Sequence, residues 1–221
     1  MTTSRKKLTL DIVLDVVCPW CYIGFRGLDW ALMALSFDYT LDVRFRPYRL
    51  DPECPPEGRD RESTLARKFP DPAVRLASKK ALVDAMQDVG LSFDPETPSR
   101  LPDTTDSHRL IRWAAEEGLA HEVVAGLFEA YWQHGEDVSR PDVLAQIASA
   151  AGLDEDEIRQ RLATSEDRHA VRQEAAELRG GGLAGVPGFI INEAAGFEGA
   201  LPKADLLAAI RQLAEETDAP D

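Results

Sequence analysis

Apolar residues recur at every second position near the start of the chain. Leu8, Leu10, Ile12, Leu14 and Val16 share one face, with Asp11 and Asp15 on the other. That period of two, supported by β-branched residues, predicts a strand over 8–17. The pattern changes at Cys18. Pro19 suits the first position of a helix, where its missing N–H costs nothing. The stretch "WCYIGFRGLDWALMAL" then predicts a helix, weakened by Gly24 and Gly27. Period two returns over 40–50, "TLDVRFRPYRL", which aligns Leu41, Val43 and Phe45. Pro47 places this strand at a sheet edge or a bulge. Strand, helix, strand implies a parallel pair joined by a right-handed crossover.

A proline-rich turn, "DPECPPEG", follows, and from about Arg61 to Gly180 the chain reads as mostly helical. Segments such as "DPAVRLASKKALVDAMQDVG", "TDSHRLIRWAAEEG" and "SRPDVLAQIASAAG" open on Ser, Thr or Asp and close on glycine. "DEDEIRQRLATS" adds an acidic first turn, as the helix dipole favours. No repeat of fixed period links them. After Gly180–Gly182 strand character resumes in "VPGFIIN" (186–192), and "AAGFEGA" can pair with it through a tight turn near Glu193. A last helix starts at Pro202 and carries Leu206, Leu207, Ile210 and Leu213 on one stripe. The order is βαβ, a helical block, then ββα.

Composition narrows what such a chain can do. Its 221 residues suffice for one large domain or one domain with an insertion. The net charge of −14 argues against sequence-independent nucleic-acid binding, which needs clustered Lys and Arg. The acidity is uneven: residues 1–50 carry 7 Lys/Arg and 5 Asp/Glu, a net of +2, which leaves −16 for the remainder. The basic start resembles a secretory leader only superficially, because Asp11 and Asp15 break the apolar run. No stretch approaches the roughly 20 apolar residues of a membrane span. A cytoplasmic protein with no membrane partner is expected.

Two of only three cysteines stand in "DVVCPWCYIG" (15–24), at the predicted strand–helix junction. Three cysteines cannot make a disulfide framework, and a cytosolic C-x-x-C is more often redox-active or metal-binding than structural. Zinc asks for four ligands. Only Cys54 remains, and His108, His121, His134 and His169 lie singly on predicted helices, so no metal is expected. A thiol must become a thiolate to attack a disulfide, and free N–H groups at a helix start favour negative charge. Cys18 is therefore the expected attacking sulfur, with a moderately lowered pKa, since Pro19 and Trp20 add no positive charge. Cys21, one turn on, can resolve the mixed disulfide. Trp113, Tyr131 and Trp132 read as packing residues of the helical block.

Together "DVVCPWCYIG" (15–24), "VRFRPYRLDPECPPEG" (43–58), "DSHRLIRWA" (106–114) and "GVPGFIIN" (185–192) resemble the DsbA-like thioredoxin family, in particular its cytoplasmic FrnE-type branch. The resemblance implies an α/β, thioredoxin-like fold (β-α-β … β-β-α) with a large all-helical insertion. Residues 1–58 and 183–221 would form the two parts of the thioredoxin domain, and 59–182 the insertion. It further implies that Pro187 is a cis-proline facing the cysteines. Val186 would then offer its backbone to substrate, beside Pro19 and Trp20. Two positions depart from the pattern. Gly188 stands where a larger or β-branched residue is expected. Ile12 occupies the place, six residues before the first cysteine, where thioredoxins proper carry a buried acid; Asp15 lies closer, with its direction open. Accessory roles are open to Cys54, Asp15 and His108. The residues favour a plainer reading of Cys54, a free and partly exposed thiol without a role. Arg46 and Arg49 offer attraction for an anion, although a solvated strand edge is the simpler reading.

The function expected is that of a thiol–disulfide oxidoreductase acting on protein or small-molecule disulfides. It would need no bound cofactor, with glutathione as a conceivable co-substrate, and would be a monomer or homodimer. Two rivals stand beside it. One is a glutathione-dependent isomerase or transferase of the kappa-class or hydroxychromene carboxylate isomerase type, which needs no second thiol. The other is a redox-switched binding protein or chaperone.

Overall fold

The structure, a computed structural model, describes residues 5–92, 94 and 97–218. Residues 1–4, the start of the segment weighed above as a leader, lie outside the described residues. The first strand, β1 (Lys6–Leu14), is followed by helix α1 (Pro19–Leu35) and strand β2 (Tyr39–Pro47). A short β3 (Arg59–Asp60) leads into α2 (Arg61–Lys68) and α3 (Pro72–Asp88), and β4 (Arg100–Leu101) pairs back on β3. Then come α4 (Thr105–Glu116), α5 (Ala120–Trp132), α6 (Pro141–Ala151), α7 (Glu155–Leu162) and α8 (Arg168–Gly180). Strands β5 (Gly188–Ile191) and β6 (Ala195–Glu198) and helix α9 (Lys203–Thr217) close the chain.

The main sheet has the order β2-β1-β5-β6. The β1–β2 pair is parallel and the other pairs are antiparallel. This is the βαβ–ββα topology of a thioredoxin-like α/β fold, with the helices α2–α8 inserted between its halves. Period two in β1 reflects its central place only in part. Leu8, Leu10, Ile12 and Leu14 are buried on the α1 face, but Asp11 and Val13 on the opposite face are buried as well. Helices cover both faces, so the polar alternation of a half-exposed strand is lost. Phe25 of α1 meets Phe45 of β2 on one side. On the other, Arg46 of β2 pairs with Glu174 of α8 and with Asp11 of β1, at 3.2 Å for the latter. Pro47 ends β2, which is an edge strand, where a missing N–H breaks no ladder.

Glycines set the close approaches. A Cβ on Gly27 would meet Leu206 at 3.6 Å, an ordinary contact, where α1 packs on α9. Asn192 and Glu193 both have positive φ, 51° and 58°, and form the tight β5–β6 turn. Gly188 has a packing reason: a Cβ there would stand 2.8 Å from Leu183 Cδ1. The side chain of Leu183 takes the room that a larger residue would need.

The helices obey their sequence punctuation. Asp71 and Asp154 accept hydrogen bonds from the first turns of α3 and α7. The glycines that follow α3, α4 and α6 (Gly90, Gly118 and Gly152) have positive φ. Helix α2 and the β3–β4 ribbon were not separately legible. The helix is short and buries no side chain completely, and each strand is two residues long. The expected packing aromatics are buried with their polar atoms satisfied. Trp113 Nε1 donates to Asp167, Tyr131 Oη to the Arg100 carbonyl and Trp132 Nε1 to the Val16 carbonyl.

Candidate active site

Strand β1 ends at Leu14, and a tight turn brings the chain to Cys18, whose N–H donates to the Asp15 carbonyl at 3.0 Å. Cys18 is the N-cap residue of α1 and Pro19 opens the first turn. The Cys18 carbonyl accepts from the N–H groups of Cys21 (3.1 Å) and Tyr22 (3.3 Å). No side chain caps this helix, and Cys18 stands at its positive N-terminal end. The thiol of Cys18 lies 3.6 Å from the Val186 carbonyl. The Val186–Pro187 bond is cis. Pro187 rests on α1 at Gly24, where a Cβ would approach its Cγ to 3.0 Å. That contact accounts for a glycine inside a helix. The loop carrying Pro187 is held from β6: Glu198 accepts from the Ala184 N–H, and the Gly199 N–H donates to the Pro187 carbonyl, both at 2.8 Å.

All three cysteines are free thiols. Cys18 and Cys21 are 4% and 1% exposed, whereas Trp20 between them is 41% exposed. Trp20 and the exposed Leu50 thus give this edge of the sheet an apolar rim. Burial pushes the Cys21 thiol well above its ordinary range, and negative charge on Cys18 and Asp15 pushes the same way.

Asp15 is buried within the same cluster. Its Oδ2 accepts from the Leu50 N–H at 2.7 Å, while its Oδ1 has no hydrogen-bond partner among the described residues. His108 Nε2 stands 3.6 Å from that oxygen and 3.0 Å from the Tyr48 carbonyl. A carbonyl only accepts, so Nε2 carries the proton. A residue of the turn after β1 and a helix residue 93 positions apart in sequence thereby meet near the cysteine pair.

Other candidates are placed differently. Cys54 is buried, which corrects the expectation of a partly exposed thiol. The β3–β4 ribbon covers it, and its sulfur rests 3.6 Å from the carbonyls of Pro55 and Leu101. Burial, helped by the charges of Asp51 and Asp103, raises its pKa to about 11. Arg46 is spoken for by Asp11 and Glu174. Arg49, read as a solvated edge residue, is buried and pairs with Asp103 at 2.9 Å. His121 pairs with Asp29, and His134 and His169 are exposed. Among the described residues no group of His, Cys, Asp and Glu could hold a metal ion. Nor is any helix among them long and apolar enough to cross a membrane. Sequence reasoning missed Arg179, which stacks on the Tyr48 ring at the site's edge. Its only sequence signal was its place just before the Gly180–Gly182 run.

Comparison with known proteins agrees with this architecture. A family model described as a DSBA-like thioredoxin domain matches residues 9–211. A probable DsbA oxidoreductase from Streptomyces coelicolor superposes with a TM-score of 0.85 at 26% identity, covering 97% of this chain and 92% of that one. A 2-hydroxychromene-2-carboxylate isomerase gives 0.68 at 18% identity, over 95% and 97% of the two chains. The cytosolic disulfide reductase DsbM of Pseudomonas aeruginosa, in a structure with GSH, gives 0.63 at 19%, over 95% and 97%. The last two are alike in fold.

Proposed function

The chain belongs to the DSBA-like thioredoxin domain family, whose members are thiol–disulfide oxidoreductases, and from that premise we propose that Cys18 and Cys21 are its working dithiol. One observation carries the reading. Cys18 sits at an uncapped helix N-terminus with its sulfur against the carbonyl that precedes a cis-proline. The thiolate of Cys18 attacks one sulfur of a disulfide R–S–S–R. A Cys18–S–S–R bond forms and the first RS⁻ leaves, to be protonated by solvent. Cys21 then loses its proton and attacks the Cys18 sulfur. This forms the Cys18–Cys21 disulfide and releases the second RS⁻. A thiol reductant returns two electrons to close the cycle, and glutathione serves in that role. The substrate is a disulfide-bearing protein or small molecule, docked against Trp20, Pro19 and the Val186 backbone. In a reducing cytoplasm, the location proposed here, the direction is reduction or isomerisation.

The raised pKa of Cys21 makes its deprotonation the step that needs help. Asp15 supplies it in this reading: its buried Oδ1 is the acceptor without a partner, and His108 orients the carboxylate. Asp15→Asn should therefore lengthen the life of the mixed disulfide by about tenfold or more, within the usual range for a general base. The first attack by Cys18 should keep its rate. Rapid acid quench with thiol labelling separates the two steps, and equal slowing of both would remove Asp15 from the role.

The direct test of the dithiol is Cys21→Ser. Incubated with a small disulfide, this variant should accumulate a stable adduct on Cys18, seen as a mass increment of one RS group. The wild type should pass through that adduct to the internal disulfide. A glutathione-dependent isomerase of the same fold would keep its activity in Cys21→Ser and form no internal disulfide. A binding protein switched by the pair would form the disulfide yet show negligible turnover with insulin or a small disulfide.

A further inference from the structure

The molecule is strongly acidic, and the arginines near this end of the sheet are mostly neutralised. Arg46, Arg49, Arg59, Arg112 and Arg172 each stand in an ion pair. Arg179 is different. It is exposed, and no carboxylate pairs with it among the described residues. Yet it is not a loose surface cation. Its guanidinium lies 4.5 Å from the ring centroid of the buried Tyr48, and its Nη2 donates to the Arg49 carbonyl. Stacking on an aromatic face is a geometry that suits Arg and not Lys.

Its place is also informative. Tyr48 and Arg49 are followed by Leu50, whose N–H is held by Asp15, and the Asp15 carbonyl in turn holds the Cys18 N–H. On its other side Arg179 stands in the last turn of α8, eight residues before the cis-proline. The arginine therefore stands on the rim, between the two segments that frame the Cys18 sulfur. The leading influences on the Cys21 thiol are its burial, Cys18 and Asp15, and Arg179 is not among them.

We propose that Arg179 is a specificity-determining residue that receives a carboxylate of a small anionic disulfide while Cys18 attacks its sulfur. The inference rests on the dithiol reading given above and adds a substrate class: low-molecular-weight disulfides carrying carboxylates, of which glutathione disulfide is the accessible probe. The planar fork of two N–H donors matches a carboxylate, and a cation already held by stacking loses little freedom on binding one.

The test uses the full reduced protein in a single turnover, where Cys18 and Cys21 supply both electrons and no other reductant enters. The rate of Cys18–Cys21 disulfide formation is measured against two probes at sub-saturating concentration. One is glutathione disulfide; the other is the uncharged bis(2-hydroxyethyl) disulfide. Arg179→Gln should lower the rate constant with glutathione disulfide about tenfold, the size expected for one charged hydrogen-bonded contact. The rate with the neutral probe should stay within about twofold, and Arg179→Lys should fall between. High salt should shrink the difference between wild type and Arg179→Gln. An equal loss with both probes would make Arg179 a structural support of the site. No loss with either would remove it altogether. Both outcomes overturn this assignment and leave the dithiol standing. A wild type inert toward both probes would instead overturn the dithiol reading and this inference with it.

Discussion

At the scale of single residues, the site is a contrast between two thiols in one turn of helix and a third kept apart. Cys18 has the helix end, while Cys21 is buried behind it and held in its protonated form. Cys54 shows what burial does away from any helix end. Its thiol is raised from 9.0 to about 11 by desolvation and by Asp51 and Asp103. The unfolded chain loses that proton near pH 9, while the native state keeps it until about 11. The native preference for the protonated thiol is thus fully present below about pH 9 and is lost between about 9 and 11. The stability difference between wild type and Cys54→Ser should then change in the serine variant's favour as pH rises through that window. Urea unfolding at pH 8 and pH 10.5 reads it, and a difference that does not move with pH would contradict the assigned burial. Asp15 and His108 mark the limit of residue-level reading. Their identities were visible in the chain, but the direction of Asp15 depends on the Leu50 N–H, which only the return of β2 beside β1 supplies.

Among the elements, α1 is a helix, as its sequence predicts, with two glycines inside it. Two glycines in a helix read as weakness, yet the first marks a close approach, Gly24 to Pro187, while Gly27 lies in ordinary contact with α9. Gly24→Val tests the first. It should help the helix intrinsically but force Pro187 away, because the added methyls fall where only about van der Waals space exists. A loss of about 1–3 kcal/mol in urea unfolding is expected for such overpacking. It should come with a fall of about tenfold or more in disulfide turnover. Full activity in a stable Gly24→Val protein would show that the Pro187 contact does not matter. Strands and helices with clear periods were legible from sequence: β1, β2, α3, α4, α6 and α9. The β3–β4 ribbon was not, because two-residue strands carry no period, and α2 was not, because it leaves its side chains exposed or half-buried. Ribbon and turn are what enclose Cys54, so that error about exposure followed from the missing element.

Across the whole molecule, βαβ and ββα halves assemble one sheet although a long helical block separates them in sequence. The block is not an appendage. Phe128 of α5 stacks on Tyr22 of α1, and Trp132 reaches the Val16 carbonyl next to the cysteine turn. Topology was legible because it depends on order along the chain, and the cysteine-to-proline pairing was what the family resemblance implied. The inventory of free and paired arginines was not, because ion pairs join residues far apart in sequence. Arg46 with Glu174 and Arg49 with Asp103 are examples, and Arg179 stands out only against them. In the function proposed above, this assembly holds a reversible dithiol. Its most direct measurement is the reduction potential of Cys18–Cys21, from equilibration of the wild type in glutathione buffers with acid quench and thiol counting. One two-electron transition is expected, at a potential between those of a strong oxidant and a thioredoxin-type reductant, about −120 to −270 mV. The transition should be absent in Cys18→Ser and in Cys21→Ser and unchanged in Cys54→Ser. A wild type that forms no Cys18–Cys21 disulfide at any poise would rule out the working dithiol.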